Sequence, residues 1–226
     1  MTKRNINKSL FSLIELIIVL AVIMILMSLL MPSLNKFNEK SISIKCTEVL
    51  KKFAFADHLY AEDHSDKYVS ILEQNWGYAW HSNKTYISYF ETDARRLRGT
   101  EELSCPKLDL NEPNYWGISY SPNWSGLSGG FYALRGKSII RYKVSEPSQK
   151  IRWIENTDWH ARSYHADPKR WFDRGEKGGN TVAYRHSERC NAMFYDGHIE
   201  SKAPEEVYSP SNQFSYMWNI EESAFE

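Results

Sequence analysis

The chain has 226 residues, with 28 basic and 28 acidic side chains and no net formal charge at pH 7. Three of the basic residues, Lys3, Arg4 and Lys8, lie near the N-terminus ahead of every acidic residue, so the remainder is faintly acidic. This balance gives no broad basic surface that could release counterions from nucleic acid, and nucleic acid is therefore excluded as an expected partner.

An apolar segment follows these basic residues and runs from Leu10 to Met31, interrupted by Ser12, Glu15 and Ser28. As a helix it would be about 33 Å long at 1.5 Å per residue, against a bilayer core of about 30 Å. Basic residues precede the segment, and the first acidic residue after it is Glu39. By the positive-inside rule this pattern predicts a single-pass membrane protein with a cytoplasmic N-terminus and an exported head.

A helical pattern continues beyond Pro32, because apolar side chains recur at steps of three and four residues up to about Asp63. They are Ile42, Cys46, Val49, Leu50, Phe53, Ala56 and Tyr60. No glycine or turn cluster accompanies the proline, so we expect it to kink one long helix rather than to separate two. The first half of this helix would lie in lipid and the second half against the head.

From Tyr68 onward, short aromatic-rich runs broken by Gly, Pro, Asn and Ser favour strands and long loops. We predict five strands, at Ser138 to Val144, Lys150 to Glu155, Thr181 to Tyr184, Asn191 to Tyr195 and His198 to Ser201. Asp196-Gly197 between the last two predicts a tight two-residue hairpin with positive φ at both positions. The expected fold class is α+β, a long N-terminal helix packed on an antiparallel sheet.

The start of the apolar segment carries a motif, Phe11-Ser12-Leu13-Ile14-Glu15-Leu16-Ile17. It resembles the cleavage and methylation segment of type IV prepilins and type II secretion pseudopilins, in which a short basic leader is cut before a Phe and a Glu lies four residues further on. The resemblance implies processing between Leu10 and Phe11 by a prepilin peptidase, and Pro32 falls where such pilins carry a kink-forming proline. The family usually has Gly where this chain has Leu10.

Glu15 is given a role by the same resemblance. A carboxylate inside a bilayer costs about 2.5 to 3.5 kcal/mol on insertion scales and therefore needs a partner. In the family, this carboxylate pairs with the N-terminal amine of a subunit during assembly, and a processed Phe11 would supply that amine. The alternative is that Glu15 reaches water at the cytoplasmic interface and the segment is a plain anchor.

A second motif lies near the C-terminus, where His186 precedes Asp196-Gly197 with nine residues between. It resembles the H-x9-DG signature of prepilin-like proteins that abound in Planctomycetes and Lentisphaerae. We expect His186 to be structural and to fold back onto the turn through a hydrogen bond. The alternative makes His186, Asp196 and His198 ligands of a divalent ion, but their spacing is not that of a familiar metal triad. No metal and no cofactor are predicted.

The three cysteines, Cys46, Cys105 and Cys190, have no CxxC or Cys/His zinc spacing. An exported head is compatible with disulfides. Cys46 and Cys105 both lie in fragments that resemble the same prepilin-like group, and Cys190 lies in the predicted hairpin, so a Cys46 to Cys105 disulfide is the prediction.

Catalysis is not expected. His160, His165, Asp158, Asp167 and Asp173 crowd one region with Trp159 and Trp171, but no nucleophile elbow, HExxH, phosphate loop or paired-acid pattern accompanies them. Such a set is more typical of a solvated loop.

The resemblance implies four regions. They are a basic leader at 1–10, a transmembrane and assembly helix at 11–31, a periplasmic continuation at 32–66 and a β-rich head at 67–226, with the H-x9-DG hairpin at 186–197. The expected function is a structural or accessory subunit of a type II secretion or type IV pilus-like assembly in a bacterial inner membrane, not an enzyme. Its expected partners are the lipid bilayer, other pilin-like subunits and the prepilin peptidase. The alternative is an anchored extracytoplasmic ligand-binding protein, for example for glycans, that does not polymerise.

Overall fold

The computed structural model describes residues 12–72, 79–108, 117, 119–125, 135–173, 181–211 and 215–226. These residues fall into two compact units, one ending at Ser41 and the other running from Ile42 to Glu226. The predicted leader and the processing residues Leu10 and Phe11 lie outside the described residues. The second unit begins inside the N-terminal helix, earlier than the head predicted from residue 67, because the second half of that helix belongs to its core.

The N-terminal helix α1 runs from Leu13 to Asp63 as one element, with Pro32 inside it. It begins with a capping box: the Ser12 N–H donates to Oε2 of Glu15 at 2.8 Å, and the Glu15 N–H donates to the Ser12 hydroxyl at 3.3 Å. These two bonds satisfy donors that a helix start otherwise leaves without partners. The prediction of one long helix across Pro32 is confirmed.

In the first unit, α1 is apolar and exposed. Its large aliphatic side chains range from 41% exposed at Ile23 to 77% at Leu13. Among the described residues, α1 is the helix long and apolar enough to cross a membrane.

In the second unit, one face of α1 is buried against the head. The buried side chains are Cys46, Val49, Leu50, Phe53, Ala56, Asp57 and Ala61. All but Asp57 and Ala61 belong to the stripe that the periodicity predicts. The spacing of three and four residues keeps these positions on one side of the helix.

The sheet has four antiparallel strands in the order β1-β2-β3-β4, at Tyr120–Pro122, Ile151–Glu155, Cys190–Phe194 and Ile199–Lys202. The remaining helices are short: α2 (Lys84–Ile87) precedes β1, α3 (Pro168–Phe172) lies between β2 and β3, and α4 (Pro204–Val207) and α5 (Ser215–Trp218) follow β4. The 3-10 turns are at Trp80–Ser82, Glu101–Leu103, Arg141–Lys143, Ser163–Ala166 and Glu222–Ala224. The predicted α+β class, with the helix in contact with the antiparallel sheet, is confirmed.

Three predicted strands match β2, β3 and β4 to within one residue at each end. The strand predicted at 138–144 is wrong, because this stretch forms isolated bridges at Ile139 and Ile140 and then a 3-10 turn. The strand predicted at 181–184 reduces to one bridge between Asn156 and Val182. Strand β1 was missed, since only three residues of it pair and the last is Pro122.

The hairpin between β3 and β4 differs from the predicted two-residue turn. The Phe194 N–H donates to the His198 carbonyl at 3.0 Å, and the Gly197 N–H donates to the Phe194 carbonyl at 2.9 Å, so three residues form the loop. Of these three, all described, only Gly197 has a positive φ, at 90°. Asp196 instead accepts the His198 N–H through Oδ1 at 3.1 Å. This arrangement suits a three-residue loop with glycine in its last position.

Both faces of the sheet are covered, so β2 and β3 are buried at every position. On the helix side, the ring of Phe53 lies 4.6 Å from that of Trp153 and 5.1 Å from that of Phe90. On the other side a second cluster includes Ile154, Ala192, Phe194 and Trp218. Burial on both faces explains why apolar residues follow one another in these strands, as Trp153 and Ile154 do in β2 and Ala192 to Phe194 do in β3, instead of alternating with polar ones.

A buried carboxylate joins α1 to the sheet. Asp57 is 2% exposed and accepts hydrogen bonds from Nε of Arg152 at 2.8 Å, from Nε1 of Trp153 at 2.6 Å and from the hydroxyl of Tyr86 at 2.8 Å. Arg152 is fully buried, and its guanidinium also lies 4.8 Å from the ring centre of Tyr68. Three donors and an opposite charge compensate for the water that the carboxylate loses.

We expect Asp57→Ala to destabilise the folded chain by about 3 to 5 kcal/mol, because it leaves the Arg152 charge buried without its partner. The matched control is Asp63→Ala on the exposed side of the same helix, where Oδ2 accepts the Tyr89 hydroxyl at 2.6 Å. That surface contact should be worth about 1 kcal/mol or less. Chemical denaturation of both variants in detergent, followed by tryptophan fluorescence, measures the difference, and equal losses would contradict the role of Asp57.

Candidate functional site

Both residues singled out in and after the apolar segment, Glu15 and Pro32, lie in α1. Glu15 is exposed in the first turn of α1, where its carboxylate takes part in the capping box with Ser12. Pro32 lies inside the same helix. The capping box was missed from the sequence, although Ser12-Leu13-Ile14-Glu15 has the S-x-x-E spacing that signals one.

The three residues of the H-x9-DG signature do not form one group. Asp196 and Gly197 make the β3–β4 turn, whereas the ring of His186 points to β2 and places Nε2 2.8 Å from Oε1 of Glu155. The predicted hydrogen bond from His186 to the turn is therefore wrong. His186 lies in a tight reverse turn in which it exchanges two backbone hydrogen bonds with Arg189, both at 3.1 Å, and this turn aims the ring at β2.

His198 also lies apart from His186. Its Nδ1 is 2.5 Å from Oδ1 of Asp196, and its ring stacks on Phe194 at 4.3 Å. The metal triad of His186, Asp196 and His198 considered from the sequence is thus not assembled. His198 and Asp196 remain at the surface while His186 is buried.

His186 instead completes a buried group with Cys46, Cys105 and Glu155, here called the CCEH cluster. The Sγ atoms of the two cysteines lie 3.1 Å apart, and Nε2 of His186 is 3.7 Å from Sγ of Cys105. One side-chain ligand atom from each of the four residues lies within 4.8 Å of all the others. Each residue is at most 4% exposed.

Each member of the CCEH cluster comes from a different part of the second unit. Cys46 is on the buried face of α1, Cys105 follows the 3-10 turn at Glu101–Leu103, Glu155 ends β2, and His186 precedes β3. The two cysteines expected to pair are neighbours, and both are free thiols in this structure. Their disulfide stays a prediction.

Hydrogen bonds from outside hold the CCEH cluster in place. The side chain of Asn191 donates to Oε1 of Glu155 at 3.1 Å, and its backbone N–H donates to Oε2 at 3.1 Å. The Cys105 N–H donates to the hydroxyl of Ser119 at 2.9 Å. The position of the Glu155 carboxylate is thus fixed independently of His186.

The cluster members alter one another's protonation. Burial lowers the pKa of His186, but the hydrogen bonds to Cys105 and Glu155 and their charges outweigh burial and raise it to about 9. The hydrogen bond from Cys46 lowers the pKa of the Cys105 thiol, and the neighbouring His186 acts in the same direction. The same bond, together with burial, raises the pKa of Cys46. The cluster therefore favours one thiolate beside an imidazolium.

Glu155 and Asn191 were missed by sequence reasoning. A carboxylate at the end of the predicted strand Lys150 to Glu155 was the available signal, because carboxylates are rarely buried without partners. The identity of those partners depends on strand register, which this run does not reveal.

The region with the five His and Asp side chains considered for catalysis lies partly in the core. His160 and His165 are buried, and their rings lie 5.5 Å apart. Asp167 caps α3 by accepting the Lys169 N–H at 3.0 Å, and Asp158 accepts the Trp159 N–H at 2.6 Å. Both carboxylates thus accept hydrogen bonds from backbone N–H groups. The prediction of a solvated loop is wrong for His160 and His165, because both are buried.

Comparison of the chain with protein-family models, with curated proteins and with solved structures gives no significant match. A long apolar N-terminal helix whose second half packs on an antiparallel sheet is compatible with a pilin-like architecture.

Three buried histidines should make the head sensitive to acid. Burial lowers the pKa of His81 to about 4 and those of His160 and His165 to about 3. In the unfolded chain they take up protons near pH 6.5, so their stabilising contribution is present above that pH and is lost as the pH falls toward 3 to 4. Each should cost about 1.4 kcal/mol per pH unit in this window.

Unfolding free energies measured between pH 7 and pH 4.5 test this. His160→Phe, which keeps an aromatic ring against Trp124, should flatten the slope by about one histidine's share. The control His58→Gln changes an exposed residue of α1 and should leave the slope unchanged. An unchanged slope in His160→Phe would show that other groups cause the acid sensitivity.

Proposed function

We propose that this protein is a membrane-anchored, pilin-like structural or accessory subunit of a type II secretion or type IV pilus-like envelope assembly. The observation that carries the proposal is α1, which is one helix with an exposed apolar first half and a second half buried against an antiparallel sheet.

The exposed first half needs an apolar environment. From Leu13 to Met31 the helix is about 28 Å long, close to the bilayer core of about 30 Å. Each large aliphatic side chain that leaves water contributes about 1.5 to 3 kcal/mol. So long an apolar surface is far beyond what a helix in water leaves uncovered, which supports insertion in a membrane.

The orientation proposed is that of the positive-inside rule. Lys3, Arg4 and Lys8 precede the apolar helix, and the first acidic residue after it is Glu39. The N-terminus is then cytoplasmic, and the unit from Ile42 to Glu226 lies in the periplasm or outside the cell.

The position of Glu15 supports an assembly role. Its carboxylate lies in the first turn of the apolar helix, and its bond from Ser12 uses one lone pair of Oε2. An ionised carboxylate can accept several hydrogen bonds, so the capping bond leaves room for a further cation such as the N-terminal amine of a neighbouring subunit.

An anchored ligand-binding protein is the second candidate, and a groove beside α1 favours it. The groove has a volume of about 490 Å³ and is lined by Lys51, Phe55, Tyr89 and Glu102 among others. Phe55 is 63% exposed, which is unusual for so large an apolar ring. N-terminal sequencing separates the candidates, because a mature chain beginning at methylated Phe11 follows from the first and an intact Met1 from the second.

Three variants separate the charge of Glu15 from the capping box that it forms with Ser12. Glu15→Val removes both, Glu15→Gln keeps an acceptor for the Ser12 N–H but removes the charge, and Ser12→Ala keeps the charge but removes the hydroxyl. All three should insert in the membrane. Glu15→Val and Glu15→Gln should reduce recovery in a pelletable complex by about tenfold or more, the effect of losing about 1.4 kcal/mol, whereas Ser12→Ala should not.

The measurement is the fraction of the chain in the high-speed pellet after mild detergent extraction. Normal recovery of Glu15→Gln together with loss of Ser12→Ala would show that assembly requires the capping box and not the charge of Glu15. Normal recovery of all three variants would remove the assembly role of Glu15.

A further inference from the structure

We propose that Cys46, Cys105, Glu155 and His186 form a four-coordinate site for a divalent transition metal, with Zn²⁺ as the ion that fits the ligands best. The proposal concerns the second unit alone and does not depend on the membrane or assembly role proposed above.

The first argument is the convergence of ligand atoms. Two sulfurs, one imidazole nitrogen and one carboxylate oxygen, each from a different segment, lie within 4.8 Å of one another. All four side chains are buried, with Cys46 and Glu155 at 0% exposure. In the part of the chain that the structure describes, this is the one group of at least three His, Cys, Asp or Glu side chains whose ligand atoms lie close enough to hold a metal ion.

The distances fit a tetrahedral zinc site after small shifts. With Zn–S bonds of about 2.3 Å and Zn–N or Zn–O bonds of about 2.1 Å, the edges of the tetrahedron are about 3.8 Å between sulfurs, about 3.6 Å between S and N and about 3.4 Å between N and O. The corresponding distances here are 3.1, 3.7 and 2.8 Å. Of these three edges, one fits and two need to open by about 0.6 to 0.7 Å. The other three edges of the tetrahedron are at most 4.8 Å long.

The second argument is the charge of the group. A carboxylate and two thiols share a dry space, and a divalent ion there would bind the carboxylate and both sulfurs as thiolates, displacing the thiol protons. The same ion would take the place of the proton between Nε2 of His186 and Oε1 of Glu155 and would convert that contact into two metal bonds. Thiolate ligands with one imidazole select zinc over magnesium or calcium, which prefer oxygen ligands.

The third argument is the support around the ligands. Asn191 holds both oxygens of Glu155, and Ser119 holds the backbone of Cys105. Such outer hydrogen bonds orient metal ligands in characterised sites. Because all four positions are filled by the protein, the ion would be structural, and it would fasten α1 to β2 and to the two loops that carry Cys105 and His186.

The sequence motif also becomes intelligible on this proposal. In H-x9-DG, the Asp196-Gly197 turn closes the β3–β4 hairpin, and β3 carries Asn191, which orients Glu155. His186 enters the cluster from the turn just before β3. The signature would then join a metal ligand to the hairpin that positions the outer shell.

The same two sulfurs cannot form a disulfide and hold the ion as thiolates, so one experiment decides between these states. The full-length chain is purified in detergent without chelator or added reductant, and its zinc content is measured by inductively coupled plasma mass spectrometry. Cobalt is then exchanged into the wild-type protein, and the visible absorption of tetrahedral thiolate-bound Co²⁺ is recorded. The expected results are about one zinc per chain and the cobalt bands.

The variants are Cys105→Ser and His186→Gln, each expected to lower zinc content by about tenfold or more. The matched control is Cys190→Ser, which replaces a cysteine equally buried in β3 but outside the cluster. A wild-type mass two hydrogens lower, with Cys46 and Cys105 in one cross-linked peptide, would overturn the proposal. So would reduced wild-type protein that takes up neither zinc nor cobalt, a result that does not depend on how the variants fold.

Discussion

The contact of Asp57 with Arg152 and Trp153 is the constraint on which the second unit depends. The Asp57 carboxylate is 2% exposed, and burying it is costly unless hydrogen-bond donors surround it. Its contacts with Arg152 and Trp153 therefore fix both the rotation of α1 about its own axis and its position along that axis relative to β2. Cys46 lies eleven residues, about three turns, before Asp57 and so on the same face of the helix. With Asp57 bound to Arg152 and Trp153, Cys46 lies near the end of β2, close to Glu155.

A bulge in β2 allows both Arg152 and Trp153 to reach Asp57. In a regular strand, Arg152 and Trp153 would point to opposite faces, yet both donate to Asp57. The register of β2 against β3 shifts between Ile151 and Trp153. Such a bulge re-aims side chains, and here both donors reach the helix side. The alternation then continues from Trp153 to Glu155, which places the second carboxylate on the side of α1 as well.

The limits of sequence reasoning follow from these two facts. The periodicity of α1, the short apolar runs in β2 and β3 and the Asp196-Gly197 turn before β4 are local signals, and they predict the α+β fold and the buried stripe of the helix. The partners of Asp57, Glu155 and His186 are set by register and by the bulge, which no local pattern encodes. For the same reason the approach of Cys46 to Cys105 was anticipated only through a family resemblance, whereas the contact of His186 with Glu155 was not anticipated.

Two carboxylates of α1, Asp57 and Glu15, differ in the number of hydrogen-bond donors that surround them. This difference bears on function. Asp57 has donors from three side chains, so its demand for hydrogen bonds is met inside one chain. Glu15 has one backbone donor from Ser12 and no cation among the described residues. A carboxylate in an apolar segment with so few partners gains most from a positive charge supplied by another molecule. The first carboxylate thus fixes the fold of the second unit, whereas the second carboxylate is the one to which we assign the proposed contact between subunits.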